Sequence, residues 1–272
     1  MGRTLYLSEN QGVRVMRDGP SVLIHRKESA TQRVPANLVS RVVIIGNVRL
    51  DAGAITLFTE NDIPVAFMNH SGEEAAVAIP YNHRLAKHYE EQKVFLKDPE
   101  NIERYAKWAV TKRMVIQTNV LKRLFKQQAY NFRFGVGEGN YQQMISELKP
   151  EGEGKWAVVN SIVMNLFRGL IIGHLIRADL DPHCGVIHRR HNFGLALDFC
   201  HITGGESDMQ TIQFFRSADV RLFLQNRAHN LAVTDSGMKN IIHRFENRQD
   251  ALSNMVEIII DERFELMMEL RT

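Results

Sequence analysis

Residues 98–126, DPENIERYAKWAVTKRMVIQTNVLKRLFK, divide the chain into two kinds of sequence. Asp98 followed by Pro99 is a helix start, the carboxylate capping free amides and the proline ring already holding a helical φ. Beyond it Ile102, Tyr105, Ala109, Ile116, Val120 and Leu124 recur at helical intervals, while Lys107, Lys122 and Lys126 fall off that stripe. The spacing predicts one long helix with a basic outer side. Upstream the period is shorter. TLYLS, GVRVMR and SVLIHR alternate or cluster branched residues, with Asp18-Gly19 as a turn between the last two. RVVIIG at 41–46 and PVAFM at 64–68 read as buried strands on either side of a short helix in AGAITLFTEN, and the turn HSGEE leads into AAVAIP. Downstream, WAVVNSIVMNLFRGLIIGHLIRA is a second helix, stopped at Asp181-Pro182. Further helices are predicted from Met209 to His229, from Asp235 to Phe245 and from Asp250 to the end. The fold class is α+β: a small amino-terminal β-rich domain over 1–82 and a larger, all-helical domain over 83–272.

Composition narrows the classes. With 272 residues, 44% hydrophobic and 24% charged, the chain can bury large cores without staples. No uninterrupted apolar run reaches the roughly 18 residues of a spanning helix. The start, MGRTLYLSENQG, lacks the basic flank and apolar core of an export signal, so a cytoplasmic setting and no membrane contact are expected. In that reducing compartment Cys184 and Cys200 are expected as thiols. The net charge of +3 is small, but it is unevenly spread. Between Arg104 and Arg133 there are eight basic residues and no acid, whereas 246–272 carry seven acids against three Arg. The first stretch suits a phosphate track or a solvated helix face.

Candidate chemistry lies elsewhere. Five of the eleven histidines fall between 174 and 201, mostly within LDPHCGVIHRRHNFGLALDFCH. Asp198 and His201 are three apart and leave one face of a helix that starts near Leu197, with His188 supplied by the preceding loop. A hard divalent ion needs more carboxylate than Asp198, and Glu138, between the glycines of GVGEGNYQQM, is the upstream candidate. A carboxylate at a helix start is equally a dipole partner. Zinc is disfavoured, because His183-Cys184 and Cys200-His201 are adjacent pairs that rarely both reach one ion. A nucleotide loop is disfavoured too: Asn140 stands where a dinucleotide fingerprint needs its third Gly, and no Lys-Ser/Thr follows.

Read in order, these segments resemble the CRISPR-associated adaptation endonuclease and integrase family. VPANLVSRVVIIGNVRLDAGAITLFTENDIPVAFMNHSG is similar to its β-domain pattern. KRMVIQTNVLKRL resembles its Lys-containing helix, GVGEGNYQQM its Glu-Gly element, VVNSIVMNLFRGLI its Asn-bearing helix, and LDPHCGVIHRRHNFGLALDF its Gly-x-x-His loop followed by Leu-x-x-Asp. The match runs from about residue 3 to 200. The resemblance implies a metal-dependent DNA endonuclease and integrase that inserts short fragments into a CRISPR array by 3′-hydroxyl transesterification. It implies a dimerising β-domain, a homodimer, double-stranded DNA as substrate and a small ferredoxin-fold partner protein. The catalytic set would be Glu138, His188 and Asp198 around Mn²⁺ or Mg²⁺, with His201 as a further ligand. His201 stands where the family has Asp or Glu, and Gly204-Gly205 where it commonly has Arg-Pro. The loss of a negative charge favours Mn²⁺, and Glu206 or Asp208 would compensate if Gly204-Gly205 formed a loop. Arg189 and Arg190, with Lys112, Arg113, Lys122, Arg123 and Lys126, would contact DNA phosphates. A DNA-binding scaffold without catalysis and a related transposon integrase are the alternatives.

Overall fold

The computed structural model describes residues 2–9, 12–27, 29–69, 74–80, 86–152, 154–217, 220–227 and 230–268. Two compact units divide between Leu85 and Ala86.

In the first unit the run VSRVVII forms β5 (Val39–Ile45), flanked in parallel by β1 (Arg3–Ser8) and β7 (Val65–Met68), with β8 (Glu74–Ala78) antiparallel at the edge. A strand covered on both faces needs a continuous apolar run, which Val42 to Ile45 supply. A second sheet has the order β4 (Ser29–Pro35), β3 (Ser21–Arg26), β2 (Arg14–Asp18) and β6 (Arg49–Leu50). The expected turn after Asp18 joins β2 and β3, with Gly19 at a φ of 58°. Leu7, Val15, Val22, Ile24, Val42, Ile44 and Val65 from the two sheets share one core with Phe58 of α1 (Ala52–Glu60). The Asp51 carboxylate accepts from the Ala54 amide at 2.6 Å and starts that helix. The turn read at HSGEE falls largely outside the described residues.

The second unit is built on α2 (Tyr89–Lys97), α3 (Pro99–Leu124), α4 (Glu138–Ser146), α5 (Lys155–Arg177), α6 (Gly194–Phe215), α7 (Asp235–Glu246) and α8 (Gln249–Met268). Asp98 caps α3 through the Glu100 amide at 2.9 Å, with Pro99 in the first turn. Helix α5 is long and apolar enough to cross a membrane, but most of its apolar window is buried against its own unit, where it packs on α6, α7 and α8.

Three expectations change. The helix read over 209–229 is instead the end of α6, a short 3₁₀ turn at Val220–Leu222 and the hairpin of β9 (Leu224–Arg227) and β10 (Asn230–Val233). Thus the unit is mostly helical rather than all-helical. β10 packs against α5 with Ala232 and Val233 buried, so tertiary contact holds this stretch as a strand where local sequence read as helix; residues 228 and 229 lie outside the described set. Second, α5 ends at Arg177, before Asp181-Pro182, because Asp179 turns the chain with a φ of 53°. Third, Gly204-Gly205 is not a loop: α6 runs through it unbroken.

Candidate active site

Between α5 and α6 the chain folds tightly over one carboxylate. Asp198 of α6 is fully buried and accepts four hydrogen bonds. Its Oδ2 takes the amides of Val186 at 2.6 Å and Ile187 at 3.1 Å, while its Oδ1 takes the His188 amide at 2.9 Å and His188 Nδ1 at 2.7 Å. Two glycines let the loop close this far. A Cβ on Gly185 would lie 2.5 Å from the carbonyl carbon of Gly194, and one on Gly194 would lie 2.5 Å from the His188 oxygen. The carboxylate makes Nδ1 of His188 the protonated nitrogen, so Nε2 carries the lone pair.

Beneath the loop, a buried cation balances this buried anion. Arg263 of α8 has its guanidinium carbon 3.9 Å from the Phe95 ring centroid and 5.2 Å from that of Tyr105. Among the described residues its nitrogens have no hydrogen-bond partner. Burial lowers its pKa to about 10, opposed by the charges of Tyr105 and Asp198.

The second carboxylate opens α4. Gly137 is the N-cap and Glu138 the first helical residue, in the first turn where a negative charge is favoured. Arg113 of α3 grips Glu138 with both ends of its fork, Nε donating to Oε2 at 2.9 Å and a terminal nitrogen to Oε1 at 2.8 Å. The other terminal nitrogen donates to His201 Nδ1 at 3.0 Å and to the His201 carbonyl at 2.6 Å. Gln117, one turn along α3, donates to Oε2 at 2.8 Å, and Gln142, one turn along α4, to Oε1 at 2.8 Å. Hydrogen bonding to Arg113, ahead of the opposing effect of burial, brings the Glu138 pKa down to about 2. Burial, then Arg113 and His188, lowers that of His201, which is therefore the neutral imidazole with its Nδ1 lone pair turned to the guanidinium. The His188 ring stands 6.1 Å from that of His201 and 5.8 Å from that of His191.

Glu138 and His201 thus converge on Arg113, with the His188 ring to one side, 6.1 Å from that of His201. In this arrangement, no three His, Cys, Asp or Glu among the described residues form a group able to hold a metal ion. The donor set nevertheless suits a cation: a carboxylate and an imidazole lone pair already converge on the guanidinium, which stands in for one. Asp198 sits differently from the expectation that made it a ligand, since it is spent on the loop and on orienting His188.

The expected phosphate contacts divide as well. Lys112 is paired with Glu262, which also accepts from Trp108 at 2.9 Å. Arg123 and Arg248 both bind Glu206 at 2.7 Å. Arg113 faces the site. Lys126, Arg189 and Arg190 are exposed and Lys122 is half-buried, with Arg189 anchored by Nε to the Val186 carbonyl at 3.1 Å. Glu206 and Asp208 do not compensate for His201: the first is held between two arginines, and the second accepts from Tyr141 at 2.9 Å. Burial raises the Asp208 pKa to about 6. Cys184 and Cys200 are not joined in a disulfide; burial, then Asp181, pushes Cys184 up to about 11. Sequence reasoning missed Gln117 and Gln142 and the pairing of Arg113 with Glu138 and His201. The legible signal was spacing, since Arg113 and Gln117, and Glu138 and Gln142, are each four apart on a helix.

Solved structures with this architecture include Cas1 proteins and a casposase. A Cas1 protein from Thermotoga maritima superposes with a TM-score of 0.76 at 17% identity, covering 97% of this chain and 96% of that one. A casposase bound to integration product gives 0.72 at 15%, covering 90% and 82%. A Cas6-RT-Cas1–Cas2 complex gives 0.73 at 12%, covering 94% of this chain and 34% of that one. The class is that of Cas1-type integrases and nucleases. The family described as CRISPR associated protein Cas1 matches residues 5–150, and the chain belongs to it. Comparison with curated proteins gives no match.

Proposed function

We propose that this Cas1-family chain is a divalent-cation-dependent DNA endonuclease and integrase that inserts short DNA fragments into a CRISPR array. The observation that carries the reading is the convergence of Glu138 and His201 on the Arg113 guanidinium, with the His188 ring 6.1 Å from that of His201. In the transesterification, the 3′-hydroxyl of the fragment forms a new phosphodiester bond as the target strand's P–O3′ bond breaks, the proton ending on the departing 3′-oxygen. A divalent ion, when bound, supplies charge stabilisation at the phosphoryl oxygens. Glu138, His188 through Nε2 and His201 through Nδ1 would hold it, and one carboxylate with two imidazoles favours Mn²⁺ over Mg²⁺. Asp198 keeps His188 in the tautomer that leaves Nε2 bare. Arg190 and the terminal nitrogens of Arg189 neutralise phosphate beside the loop. Arg113 must release Glu138 and His201 before a metal ion enters. DNA as substrate and a Cas partner fit the neighbours whose structures contain an integration product or Cas2; we take that partner to be a small ferredoxin-fold protein and the chain to act as a homodimer through its β-rich unit.

The grip of Arg113 favours one second reading: a DNA-binding scaffold subunit whose cation place is permanently filled by its own guanidinium. One experiment separates the two. Short duplex DNA and supercoiled plasmid are incubated with Mn²⁺ or Mg²⁺, with and without the partner, using wild type, Glu138→Ala and His188→Ala. Strand joining by wild type that both substitutions abolish is expected. Joining that survives both removes the proposed site, and inactive wild type that still binds DNA establishes the scaffold. Isothermal titration without DNA adds a direct readout: Arg113→Ala is expected to bind Mn²⁺ about tenfold more tightly than wild type, because the competing bidentate pair is gone.

A further inference from the structure

Away from the candidate site, the second unit holds a pocket of about 640 Å³. It opens where the α4–α5 connection, the end of α6, the 3₁₀ turn at Val220–Leu222 and the β9–β10 hairpin meet. Phe215 in its wall stands fourteen residues beyond His201 on α6, roughly 21 Å of helix. Leu148, Ile212, Phe215, Leu224 and Leu231 give the pocket an apolar floor. That floor is held in place from behind. Leu148 packs on the core cluster that includes Ile212. The hairpin wall is pinned by Phe223, whose ring centroid is 5.5 Å from that of Phe214 and whose carbonyl accepts the Thr234 amide at 2.9 Å.

Around this floor stand Lys155, Arg216 and Arg221, with Glu151 as the one acid in the lining. Lys112, Arg113 and Arg123 are each paired with a carboxylate. Lys155, Arg216 and Arg221, by contrast, enter no ion pair among the described residues. Lys155 is also the first residue of α5, where the helix dipole disfavours a cation, and no acid in the first turn offsets it. Helix stability gives no reason for a lysine there, whereas an anion in the pocket does.

We propose that this pocket binds a free nucleoside phosphate, with the phosphate on Arg216, Arg221 and Lys155 and the base on the apolar floor beside Phe215. Arginine forks match phosphate oxygens in bidentate pairs, and an aromatic ring takes any base by stacking. The volume lies in the range of small-molecule sites, roughly 300–1,000 Å³. A duplex backbone would use the cations but leave the apolar floor uncovered. The inference does not depend on the integrase reading.

The test is isothermal titration of the intact protein in EDTA, which keeps metal-bound nucleotide out of the candidate active site. The probes are AMP, ADP and dTMP, with adenosine and inorganic phosphate as the two halves. The nucleotides should bind at least about tenfold more tightly than either half. Arg216→Gln and Arg221→Gln, both at exposed positions, should each weaken ADP about tenfold with unchanged melting curves. Phe215→Ala should weaken ADP but not inorganic phosphate, and Lys126→Gln, in the basic stretch of α3 and its following turn, should leave ADP within about twofold of wild type. Phosphate binding as tightly as ADP, or an equal loss in Lys126→Gln, overturns the proposal. So does the absence of binding by any of the nucleotides at millimolar concentration. Complete displacement of ADP by short duplex DNA also overturns it, and assigns the three cations to the DNA backbone.

Discussion

Asp198 and Glu138 are both carboxylates with four hydrogen bonds, and they serve opposite purposes. Asp198 is closed in by its own loop, so it acts on chemistry only through His188. Replacing it with Asn puts an amide NH₂ among the donors of residues 186–188 and removes the acceptor that fixes the imidazole. Mn²⁺ affinity, measured by titration, is expected to fall about 10–100-fold. Glu138 is held by groups that can move. Its pKa of about 2, against 4.5 for an unperturbed glutamate, stabilises the fold above pH 4.5 and ceases to do so as pH falls toward 2. Asp208 has the reverse sign. Its pKa is raised from 3.8 to about 6, so its contribution is fully present below pH 3.8 and lost as pH rises through 6. In urea unfolding, the deficit of Glu138→Gln relative to wild type should shrink from pH 5 to pH 3. Asp208→Asn should gain on wild type from pH 4 to pH 7. Parallel pH profiles for all three proteins would contradict both assignments.

At the scale of elements, what could be read in advance followed period and caps. The Asp98-Pro99 start, the Asp18-Gly19 turn and the apolar strand runs are local signals, and each has its element, while the helix expected to start near Leu197 begins three residues earlier, at Gly194. What could not be read depends on chain segments distant in sequence. Nothing local tells that α6 continues through Gly204-Gly205, because a Gly pair reads as a break until α3 packs against it; a Cβ on Gly205 would touch Gln117 Cα at 3.5 Å. Nor could spacing reveal that Arg113 grips Glu138, since a partner on another helix leaves no mark on its own. The loop over Asp198 is the element most exposed to a small change. Gly185→Ala drives a methyl group into the Gly194 backbone and is expected to destabilise by about 2–3 kcal/mol, seen as a lower urea midpoint, with Mn²⁺ binding lost alongside. Gly204→Ala, where a Cβ meets nothing within 4 Å, is the matched control, expected to keep or slightly gain stability in the middle of a helix.

At the scale of the whole molecule, part of the charge in the basic stretch is spent internally. Lys112, Arg113 and Arg123 are engaged by Glu262, Glu138 and Glu206, so the basic stretch is a weaker phosphate track than its composition suggests. On the proposed reading, Lys122, Lys126, Arg133, Arg189 and Arg190 remain for DNA. With that many phosphates neutralised per chain, the slope of log K against log salt should be no steeper than about −4 to −5. A slope twice as large would mean that the internal pairs open on binding.

The guanidinium in the cation place also bears on how the protein behaves with no metal at all. Sites built from several ligands with nothing between them lean on the ion for their stability, and chelators loosen them. Here Arg113 already ties α3, α4 and α6 together through Glu138 and His201. Adding EDTA should leave the melting temperature of the free protein where it was. In Arg113→Ala, by contrast, α3 and α4 would keep only the Gln117–Glu138 hydrogen bond at this point and α6 would be joined to them only by the ion, so the same chelator should lower the midpoint.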